Sequence, residues 1–169
     1  AQVIESIRET SLAVDGVGAL HELRTRSMGS RALVDLHIIL GNPRVSVSEG
    51  HQISETVRAR IIRKVNDVTD VMVHIDPEDD EVHRPSMNLP NRGDLERELT
   101  RRWAEVDGAD RIQSMTFHYL AGQIHVDAHI DHGVDGPTDA HTLRRGLNNA
   151  VADWAEIGEV RLLGVYVDP

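Results

Sequence analysis

The chain has 169 residues, enough for one large domain or two small ones; 40% are hydrophobic, so a core can form, yet only 3% are aromatic and it must rest on Val, Ile and Leu. There is no apolar run of about 18 residues to span a bilayer, and the lack of cysteine excludes disulfides and thiolate metal sites. A formal net charge of -10 argues against nucleic acid and anionic membrane surfaces as partners and favours cations.

Residues 3–13 place Val3, Ile4, Ile7 and Ser11 or Leu12 at helical spacing, and Val14-Asp15-Gly16 ends that helix. Strands are expected over 17–27 and 31–40, joined by a turn at Met28-Gly29-Ser30; in the second, Val34, Leu36, Ile38 and Leu40 alternate with Asp35, His37 and Ile39. Ser46 or Ser48 can cap a helix running to about Val65, with Ile53, Val57, Ile61 and Val65 on one stripe. A last strand covers about 68–76, and 77–92, with Pro77, Pro85, Pro90 and the run Glu78–Glu81, reads as a linker. A helix with Leu95, Leu99, Trp103 and Val106 follows, then strands 110–120 and 123–131, a loop to Pro137, a helix over 138–155 and a strand over 159–168.

The order helix-strand-strand-helix-strand thus occurs twice. Val14-Asp15-Gly16 and Val106-Asp107-Gly108 lie 92 residues apart, and so do His37 and His129, and Asp76-Pro77 and Asp168-Pro169. A constant offset across three separated anchors points to a duplicated unit. The expected organisation is a first domain over 1–77, a linker over 78–92 and a diverged second copy over 93–169.

His37, His51, His74 and Asp76 stand in three different elements of the first copy. One imidazole per element plus a carboxylate is what a divalent transition-metal site requires. Strand parity sets His37 opposite the Leu36/Ile38 face, and His74 and Asp76 opposite the Val73/Ile75 face. If the two strands are neighbours, these three groups converge. His51 lies on the flank of a helix that should cover the other face, so it would have to reach a sheet edge or come from a second protomer. In the second copy His125, Asp127, His129 and Asp131 alternate along one strand, a stripe that fits either a weak cation site or a solvated polar face. His83 reads as solvated, and His118 and His132 as surface or satisfied histidines. The chain has no GxSxG, HExxH or phosphate-cradling Gly-rich loop; Asp35 could serve nominally as a general base, but nothing marks a substrate pocket, so no enzyme is expected.

The segments VDGVGALHELRTRSMGSRALVDLHI, SVSEGHQISETVRARI and DVTDVMVHIDP, within residues 12–77, resemble the C-terminal cytoplasmic domain of the cation diffusion facilitator transporters, proton-coupled exporters of zinc and related metals. The run His21–Arg26 followed by Gly29, and the closing His74–Pro77, carry most of the resemblance. It implies an α+β chain of two tandem ferredoxin-like, metallochaperone-like open sandwiches, α-β-β-α-β each. It also implies a metal set of His21, His37, His51, His74 and Asp76, with the helix histidine contributed across a dimer. The corresponding positions of the second copy are Gln113, His129, His141, Tyr166 and Asp168, a weaker set. The implied ion is Zn2+, with Fe2+, Mn2+, Co2+, Ni2+ and Cd2+ as alternatives. The implied partners are divalent metal ions, a membrane-spanning part outside these residues, and a homodimer or intrachain pseudo-dimer, at the cytoplasmic face of a bacterial inner membrane. The implied role is regulatory: metal loading promotes closure and activates efflux. The alternative is a free-standing metal chaperone or buffer of the same fold.

Overall fold

A computed structural model describes residues 2–29, 31–66, 68–79, 82, 86–131 and 139–165. The chain divides into two compact units, Ala1–Val82 and His83–Pro169. The division falls inside the segment read as a linker.

The first unit runs α1 (Gln2–Leu12), β1 (Val17–Met28), β2 (Arg31–Leu40), α2 (Val47–Lys64) and β3 (Val68–Asp76). Gly16, at φ +92°, ends the turn after α1 in a conformation that L side chains rarely adopt. The choice between caps for α2 is settled in favour of Ser46, whose side chain accepts from the Glu49 backbone N–H. Arg63 and Lys64 lie in the last turn, where cations suit the helix dipole. The sheet has the order β1-β2-β3. The hairpin β1–β2 is antiparallel and β2–β3 is parallel, so α2 is the crossover that a parallel pair demands.

Burial follows the alternation in β2. Val34, Leu36 and Ile38 are buried and form one core cluster with Ile7 of α1, Val57 and Ile61 of α2, and Val71 of β3. The other side of the sheet carries Asp35, His37, Met72, His74 and Asp76, with Met72 exposed. The helices thus cover one face and leave the other for polar chemistry. All five Phe, Tyr and Trp residues lie in the second unit, so this core is aliphatic throughout.

The second unit repeats the order: α3 (Arg92–Trp103), a 3-10 turn (Ala109–Arg111), β4 (Ile112–Leu120), β5 (Gln123–Asp131), α4 (Ala140–Asn149) and β6 (Ile157–Val165). Its sheet has the order β4-β5-β6, antiparallel then parallel. Ala121 and Gly122 both have positive φ and make the two-residue turn between β4 and β5. The core joins Leu95, Leu99 and Trp103 with Ile124, Val126, Leu143 and Leu147, and the Trp103 indole N–H donates to the Leu147 carbonyl at 3.1 Å.

Two expectations change here. The last helix ends at Asn149 instead of 155. Gly146, Asn148 and Asn149 are poor helix formers, and Asn148 spends its amide on β6, donating to Val160 O at 2.9 Å and accepting from Val160 N at 3.3 Å. The last strand accordingly starts at Ile157 rather than 159. The second change is register. In the first unit His37 pairs with His74; in the second His129 pairs with Leu163, not Tyr166. The offset of 92 holds for β2 and β5, but the third strand sits three residues earlier, because α4 is shorter than α2.

Ile61 is fully buried between α2 and the sheet. Ile61→Ala should destabilise the first unit by about 2–5 kcal/mol, measured as a lowered urea midpoint in far-UV circular dichroism.

Candidate metal centre

Three adjacent strands assemble the site. His21 of β1 pairs with His37 of β2, and His37 pairs with His74 of β3, so three imidazoles form one row across the sheet. Asp76 stands two residues beyond His74 on the same face. His21 Nε2 and His37 Nδ1 both donate to one oxygen, Asp76 Oδ2, at 3.0 and 2.9 Å. Ligand atoms of His21, His37 and Asp76 all lie within 4.8 Å of one another, and no other such group occurs among the described residues. The rings of His21 and His37 meet edge to face at 5.2 Å between centroids.

A β-bulge sharpens this geometry. Between His21 and Arg24 the β1 strand carries one residue more than β2 opposite it, and Glu22 takes a φ of +49°. The extra residue brings Glu22 to the same face as its neighbour His21, with Oε2 3.8 Å from His37 Nε2. Left-handed backbone at a glutamate costs about 1 kcal/mol, which the surrounding ladder holds in place. Glu22 was not singled out in the sequence. Its only signal is its place beside His21, because no glycine marks the bulge.

His74 stacks on His37 at 4.4 Å with 16° between the planes. Its Nε2 stands 3.4 Å from Asp35 Oδ1, so it belongs to the row but not to the three-donor group. His51 is exposed on α2, on the helix-covered side of the sheet, and is not gathered with the others within the chain.

The donor chemistry fits a divalent ion. Burial would raise the Asp76 carboxyl, but the hydrogen bonds from His21 and then His37 outweigh it and hold the group below its ordinary range. The same bond to Asp76 raises His21. His21 Nδ1 is buried and takes no hydrogen bond among the described residues. An ion bound tetrahedrally at about 2.05 Å needs neighbouring donors about 3.3 Å apart. The observed 2.9–3.0 Å requires the groups to part by a few tenths of an ångström.

The second unit keeps little of this set. The row opposite His129 is Ser114, His129 and Leu163, so both flanking imidazoles are gone, and the position of Asp76 is taken by Val165. Asp168 and Tyr166 lie outside the described residues. His129 Nε2 meets Thr116 Oγ1 at 3.2 Å. His141 is exposed in the first turn of α4, where its backbone N–H donates to the capping Asp139. The polar stripe of β5 is not solvated as a whole. Asp127 is 5% exposed, gripped by Arg161 through Nε and Nη2 at 2.7 Å each, with His118 Nε2 at 3.0 Å. His118 is thus a satisfied, partly buried histidine. The signal was the period-two run Ser114, Thr116, His118 along β4. The Arg161 hydrogen bonds, against burial and with help from His118, hold the Asp127 carboxyl down to about 2.

Residues 1–78 match the family model described as cation efflux protein, cytoplasmic domain. Over those residues the first unit resembles the cytoplasmic domain of cation efflux proteins. It is 44% identical over 77 residues to metal tolerance protein C1 of Arabidopsis thaliana, covering 46% of this chain and 16% of that protein. It is also 44% identical over 73 residues to metal tolerance protein 2 of Oryza sativa subsp. japonica, covering 43% and 18%. The chain therefore spans under a fifth of these relatives. Among solved structures, a variant of the MamM CTD in its manganese form matches 44% of this chain and 94% of that one, with 29% identity and a TM-score of 0.43.

Glu22→Gly should relieve the left-handed backbone and leave the unfolding free energy of the first unit within about 1 kcal/mol, measured by urea unfolding. In the second unit the depressed Asp127 carboxyl makes its contribution above the ordinary value of 3.8 and loses it as pH falls towards about 2. Asp127→Asn should therefore cost about 2 kcal/mol at neutral pH and almost nothing in strong acid, read by urea unfolding with tryptophan fluorescence, since Trp103 and Trp154 both lie in that unit.

Proposed function

We propose that this chain is the metal-responsive regulatory part of a divalent-cation efflux transporter, working at the cytoplasmic face of the membrane that holds the transporter. The observation that carries the reading is the convergence of His21, His37 and Asp76 onto one point of the open sheet face. The family match of residues 1–78 supports it, as does the likeness to proteins named for metal tolerance.

In this reading His21 and His37 exchange their hydrogen bonds to Asp76 for bonds to the ion, and Glu22 closes towards the fourth position. His74, stacked on His37, holds that ring in place or enters the shell as Asp35 releases it. Histidine nitrogen and carboxylate oxygen without thiolate suit Zn2+ first, and also accommodate Fe2+, Mn2+, Co2+, Ni2+ and Cd2+. Because the donors must part to admit the ion, occupancy favours a state slightly different from the hydrogen-bonded one. His51, outward on α2, is placed to supply a ligand to a second copy of the domain in a homodimer. Metal loading would then draw protomers together and bias the membrane part towards transport. An apo cluster already held by Asp76 argues for a folded apo domain with modest rearrangement, which suits a sensor better than a domain that folds only on binding metal.

Zinc at a hundred times its dissociation constant should stabilise the first unit by about 2.7 kcal/mol. His37→Ala or Asp76→Ala should abolish most of that gain, seen as loss of the zinc-induced shift in melting temperature. His51→Ala should keep single-protomer binding and reduce metal-dependent dimerisation in sedimentation velocity. A full zinc shift in Asp76→Ala would overturn the assignment.

A further inference from the structure

In the first unit the row next to the metal centre is Arg24, Asp35 and Met72; in the second unit the same row reads Thr116, Asp127 and Arg161. Asp35 and Asp127 are equivalent, 92 residues apart on equivalent strands, but what faces them from the third strand differs. Met72 is uncharged, exposed and makes no claim on Asp35, which stands by His74. Arg161 closes on Asp127 with a two-pronged ion pair, the strong form of a guanidinium–carboxylate contact. His118 completes the cluster, and His125, paired with His118 across the hairpin and two residues before Asp127, lies on the same face.

We infer that Arg161 is a built-in cation that satisfies Asp127 in place of a metal ion, so that the second unit, with His118 on that carboxylate and His125 on the same face, takes up no divalent metal. The guanidinium occupies both oxygens of the carboxylate that a metal needs. A covalently tethered charge is present at every metal concentration, so the second unit is held in a metal-independent state while the first responds. The short α4 accomplishes this. It advances β6 by three residues, which removes the carboxylate equivalent to Asp76 and delivers an arginine opposite Asp127. The carboxylate is shielded: at the side chain Asp127 is 7% exposed and His118 12%, while Arg161, at 39%, reaches in from the surface. The pairing is therefore not a solvated surface bridge of little consequence.

This inference leans on the metal reading of the first unit only for comparison, and the experiment separates the two. Zinc binding is measured by equilibrium dialysis and calorimetry on the full chain in a background carrying His21→Ala, His37→Ala and Asp76→Ala. With Arg161 intact that background should bind no zinc. Adding Arg161→Met, the residue found at this register in the first unit, should create one equivalent of binding. Asp127→Asn or His118→Ala on top should remove it. Circular dichroism and tryptophan fluorescence establish that each variant is folded, and Arg161→Gln replaces Arg161→Met if the latter is not. Zinc binding through His118 and Asp127 while Arg161 is present would overturn the inference. So would a folded Arg161 variant that gains no site. Failure of the first-unit reading appears separately, as an unmutated chain that binds no zinc.

Discussion

The parallel pairing of β2 with β3 in a single register is the constraint on which the site depends. It sets His37 against His74 and brings Asp76, on the edge strand, within reach of two imidazoles contributed by β2 and β1. A one-residue slip of β3 would turn His74 and Asp76 towards the aliphatic core, away from His21 and His37, and expose Val71, Val73 and Ile75. The register is held because Val34, Leu36, Ile38 and Val71 bury against Ile7, Val57 and Ile61. Core packing and metal-site geometry are therefore one requirement seen from two sides of a sheet.

The second unit shows what happens when that register moves by an odd number of residues and the strand presents its other set of side chains to each face. Its helix is shorter and its third strand advances by three residues, yet the core still closes because an apolar face is still presented. What changes is the chemistry of the open face. Leucine and valine stand where the first unit has histidine and aspartate, and the next row gains a guanidinium. The fold tolerates the substitution because its stability lies on the other side of the sheet.

Most of the fold was legible because strands declare themselves by alternation and helices by stripes. The β2 pattern read directly into the buried and open faces, and His37, His74 and Asp76 follow from parity alone. The bulge at Glu22 was not legible, since it uses a glutamate at positive φ where a glycine would have announced it. The second-copy equivalents of His74 and Asp76 were misplaced for a different reason. Asp168-Pro169 repeats Asp76-Pro77 at the right sequence distance, and sequence distance does not record how much of the intervening segment is helix. Asn148, by turning its amide to β6, decides that length. His118 and Arg161 escaped notice because their significance comes from a shared contact across three strands, which no single strand displays.

Asp76 fills the last rung of the β2–β3 ladder, opposite Ile39, and Pro77 follows with no amide hydrogen to extend the pairing. The carboxylate that unites the two imidazoles is thus mounted at the point where a sheet unzips first. Fraying of a single terminal rung withdraws the shared acceptor from both histidines while the aliphatic core stays intact. The donor set can be dismantled and rebuilt on the timescale of strand-end motion, far faster than the domain unfolds.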